Sequence, residues 1–357
     1  MKRLIKPFLF LIICLSLASC SKQKQTTTEK SPAPAQEKKV TIGFSIDTLA
    51  IERWQRDLDV FMNKAKELGA DVIVQNAGNS VEEQNRQLMY LMEHSDVIVV
   101  LPKEAGSITE SVQKIRAKGI PVISYDRLTL NADINLYITI DSEKVGEDMA
   151  SNMMRHTNGT NWYCLLGPKE DFNMYLISEG INRIVRNSRV KINHTFYTDN
   201  WNYDLASQEM ARILKNDIFP DAIICGNDAL AASVIQTISK YYPDVHIPVC
   251  GQDADIVACQ YIVQGKQDFT IYKPIIKLAE ISAEVAISLA KNEFEVDSAS
   301  YRTSFINNGY ADITTIWLEP TYVDKYNLDK VIIDSGFHNA SSIYGTSTPS
   351  TGSGTTR

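Results

Sequence analysis

The sequence predicts an α/β protein made of two doubly wound parallel-sheet lobes that face each other across a cleft. Apolar, β-branched runs alternate with helical patterns of 10–18 residues from residue 40 to about residue 290, the signature of βαβ units and parallel sheets. The ten or so runs exceed one comfortable open sheet, and the rhythm breaks at Leu136–Asp141, where a second series starts. Five of the runs stop abruptly in clusters of carboxylate, amide or guanidinium side chains, which is where open α/β sheets bind ligands.

The first series opens with Val40–Ile46, which ends at Asp47 shortly before Glu52-Arg53-Trp54. Ile51, Trp54, Leu58, Phe61, Met62, Ala65 and Leu68 then follow helical spacing up to Gly69, a residue suited to a helix C-terminus. A strand at 71–75, a helix over 81–92, a strand at 97–101, a helix near 107–118 and a strand at 120–125 follow. That last strand runs into Tyr125-Asp126-Arg127. The second series has strands near 161–167, 190–196, 221–225, 246–250 and 268–272, with helices between them. Its polar endings are Glu170-Asp171-Phe172-Asn173, Gly226-Asn227-Asp228 and Gly251-Gln252-Asp253. Such strand ends suit a small, uncharged, polyhydroxylated molecule, a sugar first of all. The break near Asp141, Thr270–Pro274 and the turn-forming Asn307-Asn308-Gly309 are hinge candidates, because Pro274 holds its predecessor extended and suits a helix start.

At 357 residues, with 44% hydrophobic and 22% charged residues, the chain has the size and balance of a soluble two-domain protein. Lys2, Arg3 and Lys6 precede an apolar stretch at 8–17, far short of the roughly 20 residues that span a bilayer. It reads as an export signal over residues 1–19, closing on Leu17-Ala18-Ser19-Cys20. This resembles the lipobox of bacterial lipoproteins, which makes Cys20 the expected lipidation site. Residues 20–38 read as a flexible tether, and residues 339–357, rich in Ser, Thr and Gly, as a disordered tail. Removing residues 1–19 takes away three positive charges, so the net charge moves from −7 to −10. That acidity speaks against a nucleic-acid partner, and it leaves acyl chains as the means of membrane attachment. Cys164, Cys225, Cys250 and Cys259 lack metal-site spacing and read as buried thiols. A Cys225–Cys250 bridge between neighbouring strands stays open for an exported protein.

Several segments together carry a family resemblance. They are Asp47 to Asp57, Ser124-Tyr125-Asp126-Arg127, Asp141 to Glu147, Gly226-Asn227-Asp228-Ala229, Gly251 to Asp255, Thr270 to Ile275 and Asn307-Asn308-Gly309. With these, the chain resembles the periplasmic sugar-binding proteins of ABC transporters, and within them the D-xylose-binding members, from about residue 39 to 338. The resemblance implies lobes joined by three crossovers, here 39–141 with 273–307 and 142–272 with 308–338. It implies a ligand set of Arg53, Asp126, Arg127, Asp171, Asn173, Asn227, Asp253 and Lys273, with Trp54 and Trp201 stacking on the two faces of a sugar ring. It also implies D-xylose as ligand, with D-glucose as the neighbouring alternative, an ABC permease as partner, and no cofactor. Pro168-Lys169-Glu170, Phe172 and Met174-Tyr175 depart from the expected pattern.

Each residue also has a plainer reading. Trp54 fits the apolar stripe of its helix, whereas Trp201 stands among polar residues and favours stacking. Asp126-Arg127 could be a salt bridge, Lys273 a hinge ion pair, and Asn227-Asp228 a helix cap, with Asp228 the better capping candidate and Asn227 turned to ligand. Asp253 and Asp255 lack the further oxygen ligands of a calcium loop. His94, His156, His194, His246 and His338 lie outside the polar clusters, and no phosphate-cradling or nucleophile-elbow motif occurs in the sequence, so an enzyme is not expected. A sugar-responsive repressor would carry a basic helix-turn-helix where the export signal stands. A sensor that presents the closed form to a histidine-kinase or chemoreceptor ectodomain would use the same pocket. The expected setting is the cell envelope, with a lipid-anchored monomer.

Overall fold

The computed structural model describes residues 39–296 and 300–345. The signal segment, Cys20 and the tether lie outside the described residues, as do residues 346–357.

In the first lobe β1 (Thr41–Ile46), α1 (Glu52–Glu67), β2 (Asp71–Asn76), α2 (Val81–His94), β3 (Val97–Val100), α3 (Thr109–Ala117), β4 (Val122–Tyr125) and β5 (Leu136–Ile140) follow in turn. The chain then builds α4 (Ser142–His156), β6 (Asn161–Leu166), α5 (Phe172–Val185), β7 (Lys191–Tyr197), α6 (Tyr203–Leu214) and β8 (Ala222–Cys225). The second lobe continues through α7 (Asp228–Tyr241), β9 (Val249–Gln252), α8 (Ile256–Val263) and β10 (Phe269–Tyr272). A return through α9 (Ile275–Ala290), β11 (Arg302–Asn307) and β12 (Asp312–Leu318) precedes β13 (Thr321–Val323) and α10 (Ala340–Tyr344).

The strands lie in two sheets, ordered β11-β12-β5-β4-β3-β1-β2 and β13-β10-β9-β8-β6-β7. Apart from the outer strands β11 and β13, which run antiparallel to their neighbours, and the extra parallel strand β12 beside β5, the two sheets share one doubly wound order. Its switch points fall between β1 and β3 and between β6 and β8, and the polar strand ends gather beside them. The runs are unbroken because both sheet faces are covered. In β3, Val97 and Val99 pack into one apolar cluster while Ile98 and Val100 pack into another.

Two glycines set the packing of α4 on α5. A Cβ on Gly146 would stand 2.1 Å from the backbone oxygen of Ile177, and one on Gly180 would stand 2.1 Å from that of Glu143. The two backbones touch, and only glycine fits. Gly69, at φ 80°, follows the end of α1 and donates to the Lys66 carbonyl at 3.0 Å, a left-handed helix stop.

The chain crosses between the sheets after β5 at Asp141, after β10 at Lys273-Pro274 and after β12 at Glu319-Pro320. The first and third crossings lie side by side, the Asp141 amide donating to the Leu318 carbonyl at 2.9 Å. The third crossing therefore does not fall at Asn307-Asn308-Gly309, and residues 308–318 belong to the first lobe. That tripeptide is the turn of the β11–β12 hairpin, where Asn-Gly is the expected chemistry. Asn308 is buried there and donates to the Thr129 and Ala132 carbonyls at 2.9 and 2.8 Å, so the turn is sewn to the loop between β4 and β5.

The expected tail starts too early at 339. Residues 340–344 form α10, Ile343 is buried, and the Ser342 carbonyl accepts from Gln260 of α8 at 2.8 Å. The four thiols are free and buried. Cys250 shares its sheet face with Cys164 and Ile224, whereas Cys225 points to the opposite face with Leu165 and Val249. Neighbouring strands with side chains on opposite faces cannot be bridged there.

Candidate ligand-binding site

A small cavity of about 20 Å³ lies between the strand ends of the two sheets. It is lined by all ten expected residues, Arg53, Trp54, Asp126, Arg127, Asp171, Asn173, Trp201, Asn227, Asp253 and Lys273, and by Ile51, Met174 and Gln252. The eight hydrophilic members of that expected set are each no more than 8% exposed. Buried charges persist only where they are paired and hydrogen-bonded, and the pairing here runs across the cleft.

The first lobe supplies a charged wall. Arg53 and Trp54 stand in the first turn of α1. Arg53 pairs with Asp126 through Nη2, reaches towards Asp57 through Nε at 3.6 Å, and approaches Asp253 of the second lobe through Nη1 at 3.6 Å. Its guanidinium lies 4.4 Å from the Trp54 ring centre, and that of Arg127 lies at 5.4 Å, both in cation–π range. Arg127 pairs with Asp47 through Nη1 and with Asp171 of the second lobe through Nε at 2.9 Å. Burial works against both guanidinium charges. Asp126, Asp57 and Asp253 outweigh it for Arg53, and Asp171 and Asp47 for Arg127, so both are held above the ordinary arginine value. Burial also opposes ionisation of Asp126, but Arg53, Lys273 and Arg127 overcome it and keep its carboxyl below the usual range.

The second lobe supplies acceptors set at helix starts. Asp171 caps α5, accepting from the Asn173 amide at 2.9 Å. Burial dominates its environment and raises its pKa despite Arg127. Asn173 donates across the cleft to Asp126 at 2.7 Å. Asn227 caps α7, its Oδ1 accepting from the Leu230 amide at 2.9 Å, while its side chain also meets the Tyr203 hydroxyl. The capping role thus belongs to Asn227 and not to Asp228, which is buried and accepts from Gln267 and Thr270 at 2.8 and 2.7 Å. Lys273, at a crossing, pairs with Asp253 at 3.2 Å, so the hinge ion pair and the lining role coincide. Trp201 lies over Gly167, where a Cβ would meet its ring at 2.5 Å.

Asp126, Trp201 and Asp253 all hold left-handed backbone, with φ of 60°, 57° and 96°. Non-glycine residues there cost about 1–3 kcal/mol each and cluster at ligand clamps. The Trp54 and Trp201 indole nitrogens, Asn173 Oδ1 and Gln252 Oε1 are buried without a hydrogen-bond partner among the described residues. All four belong to residues that line the cavity. Native structures rarely leave such groups unpaired.

Sequence reasoning missed Ile51 and Gln252 as lining residues, although Gln252 stands inside a strand-end cluster it did single out. It also missed Asp47 and Asp57, whose pairing with the two arginines depends on the fold. Of the departures, Met174 lines the cavity, while Phe172 packs on the apolar cluster of the first lobe.

Two α/β lobes with a buried, polar cavity beside their chain crossings have the architecture of a two-lobed solute-binding protein. Residues 42–294 match the model of the periplasmic binding protein domain. The chain is 36% identical to the D-xylose-binding periplasmic protein of Haemophilus influenzae and 34% identical to that of Escherichia coli, covering 87% of this chain and 94% of the relative in both cases. An ABC transporter solute-binding protein of Clostridium phytofermentans, solved with bound β-D-glucose, superposes with a TM-score of 0.77 at 24% identity, covering 85% of this chain and 99% of that one. The chain belongs to the periplasmic binding protein family, whose members bind and do not catalyse.

Proposed function

We propose that this protein captures a monosaccharide, D-xylose first of all, between its lobes and delivers it to an ABC permease, held at the membrane by acyl chains on Cys20. The observation that carries the reading is the set of unpartnered buried donors and acceptors around one cavity, in a chain with two relatives named for D-xylose. A pyranose has hydroxyls that both donate and accept, and two faces with apolar C–H patches. Asp126, Asp171 and Asp253 would accept hydroxyl protons, while Arg53, Arg127 and Lys273 would donate to the lone pairs. Hydrogen bonds to charged groups contribute roughly 1.5–3 kcal/mol each. They also discriminate, because an analogue without a hydroxyl leaves a buried charge unmet. Trp54 and Trp201 supply apolar surface to the ring. The crossings at Asp141, Lys273-Pro274 and Glu319-Pro320 are the places where a hinge closure would turn.

The test is isothermal titration of the purified protein with D-xylose, D-glucose, D-ribose and L-arabinose. Xylose should bind tightest. Labelling with radioactive palmitate in cells should mark the wild type and not Cys20→Ala; equal labelling would remove the lipid anchor from the proposal.

A further inference from the structure

Beneath the cavity floor lies a group that the ligand set does not use. Asp57, one turn beyond Arg53 on α1, is 1% exposed and does not line the cavity. Its Oδ1 accepts from the Tyr125 hydroxyl, itself fully buried. Its Oδ2 has no hydrogen-bond partner among the described residues, and neither has the Nε of Arg53. These two complementary atoms sit on adjacent turns of one helix, in a side-chain pair 3.6 Å apart. The remaining nitrogens of Arg53 point the other way, Nη2 to Asp126 and Nη1 to Asp253. Asp57 therefore holds the back of the guanidinium whose front forms the sugar-facing wall.

From this geometry we infer that Asp57, oriented by Tyr125, is a positioning residue that aims Arg53 into the cavity, and that its ionisation couples sugar affinity to pH. The inference rests on the sugar-binding reading and deepens it. Around the cavity stand five aspartates, Asp47, Asp57, Asp126, Asp171 and Asp253, against the three cations Arg53, Arg127 and Lys273. A buried cluster with that excess of negative charge favours holding a proton.

Asp57 is the member placed to do so. Burial, opposed by Arg53 and the Tyr125 hydrogen bond, brings its carboxyl up to about 7, with Asp126 and Asp253 pushing the same way as burial. Asp255 of the second lobe, its carboxyl raised by burial, also feels Arg53 and Glu52, while several other charged groups around α1 are engaged elsewhere. Arg56 faces His338 and the Phe337 ring, Glu284 of α9 pairs with Lys64, Asp71 of β2 pairs with Lys39, and Asp47 beyond β1 pairs with Arg127.

Ionised Asp57 draws on Nε and fixes the guanidinium plane. Protonated Asp57 releases it. Xylose should therefore bind more tightly above neutrality than below it.

The experiment is xylose titration of the purified wild type, Asp57→Asn and Tyr125→Phe between about pH 6 and pH 8.5, with thermal melting of each. Wild-type affinity should rise about three- to tenfold over that span, with a midpoint near the Asp57 value. Asp57→Asn should bind about tenfold more weakly at the upper end and show no slope. Tyr125→Phe removes a hydrogen bond that favours the charged form, so its midpoint should move upward. This carries the test if Asp57→Asn does not fold. An unchanged slope in Asp57→Asn, or an unmoved midpoint in Tyr125→Phe, overturns the inference. A wild type that binds no xylose at any pH would instead overturn the functional reading on which it rests.

Discussion

The two lobes share one strand order and do different things with it. In the first lobe the cavity wall is made of long cationic side chains, Arg53 and Arg127, each clasped from behind by a carboxylate of its own lobe, Asp57 and Asp47. In the second lobe it is made of short polar side chains fixed at helix starts, Asp171 on α5 and Asn227 on α7, with the acceptor Asp253 set by a left-handed backbone. One wall mainly donates and the other mainly accepts. A polyol that must be gripped from both sides needs that asymmetry. It also divides the tolerance to change, since a long paired side chain depends on distant partners, whereas a cap depends on its own helix.

The comparison is tested most severely at Arg127. Arg127→Ala leaves Asp47 and Asp171 buried without their cation, and breaking a buried pair costs about 3–5 kcal/mol. Thermal unfolding should fall sharply and xylose affinity should drop at least a hundredfold; a mild effect on both would deny that the first wall works through paired charge. Next comes the α4–α5 contact, which belongs to the second lobe and lies outside the cavity. Gly180→Val should destabilise by about 1–3 kcal/mol through overpacking while leaving the affinity of the folded fraction unchanged, measured by melting and titration together. Met174→Ala sharpens the account of specificity. Opening that side of the cavity should raise glucose binding relative to xylose, by about tenfold if one buried methylene-scale contact decides the choice. Asn227→Asp should keep the α7 cap, whereas Asn227→Ala should lose about 1 kcal/mol of stability, read from urea midpoints.

Stability should also change with pH. Burial raises Asp57 to about 7 and Asp228 to about 8. The folded state thus binds more protons than the unfolded chain between the ordinary aspartate value and those values. Stability should therefore fall as pH rises through that window. Carboxylates held below the usual range, such as Asp126, act the other way, but that contribution is lost only as pH falls through the acid range. Melting between about pH 5.5 and 8.5 follows the first group away from the acid range in which Asp126 acts.

Much of this was legible in the sequence because strand ends are local. An unbroken apolar run that halts at Asp126 or Asn227 states both a strand and the place where its end faces a ligand. The resemblance then drew the individual residues into one set. Hidden were the relations that only folding creates. Asp47 and Arg127 meet across 80 positions, and Asp57 and Tyr125 across 68, with no spacing to announce either. Asn307-Asn308-Gly309 was read as a crossing because turn chemistry does not say whether the next strand joins the same sheet. Whether Cys225 and Cys250 share a face depends on register, which their flanking residues do not reveal.

The central claim is that the paired walls of the two lobes form a sugar site. Titration of the wild type, Arg127→Ala and Asp253→Ala with D-xylose tests it directly. The account predicts micromolar or tighter binding by the wild type, about −8 kcal/mol or better, and its loss in both variants. Silence of the wild type towards all four sugars, or xylose binding that survives either substitution intact, would contradict it.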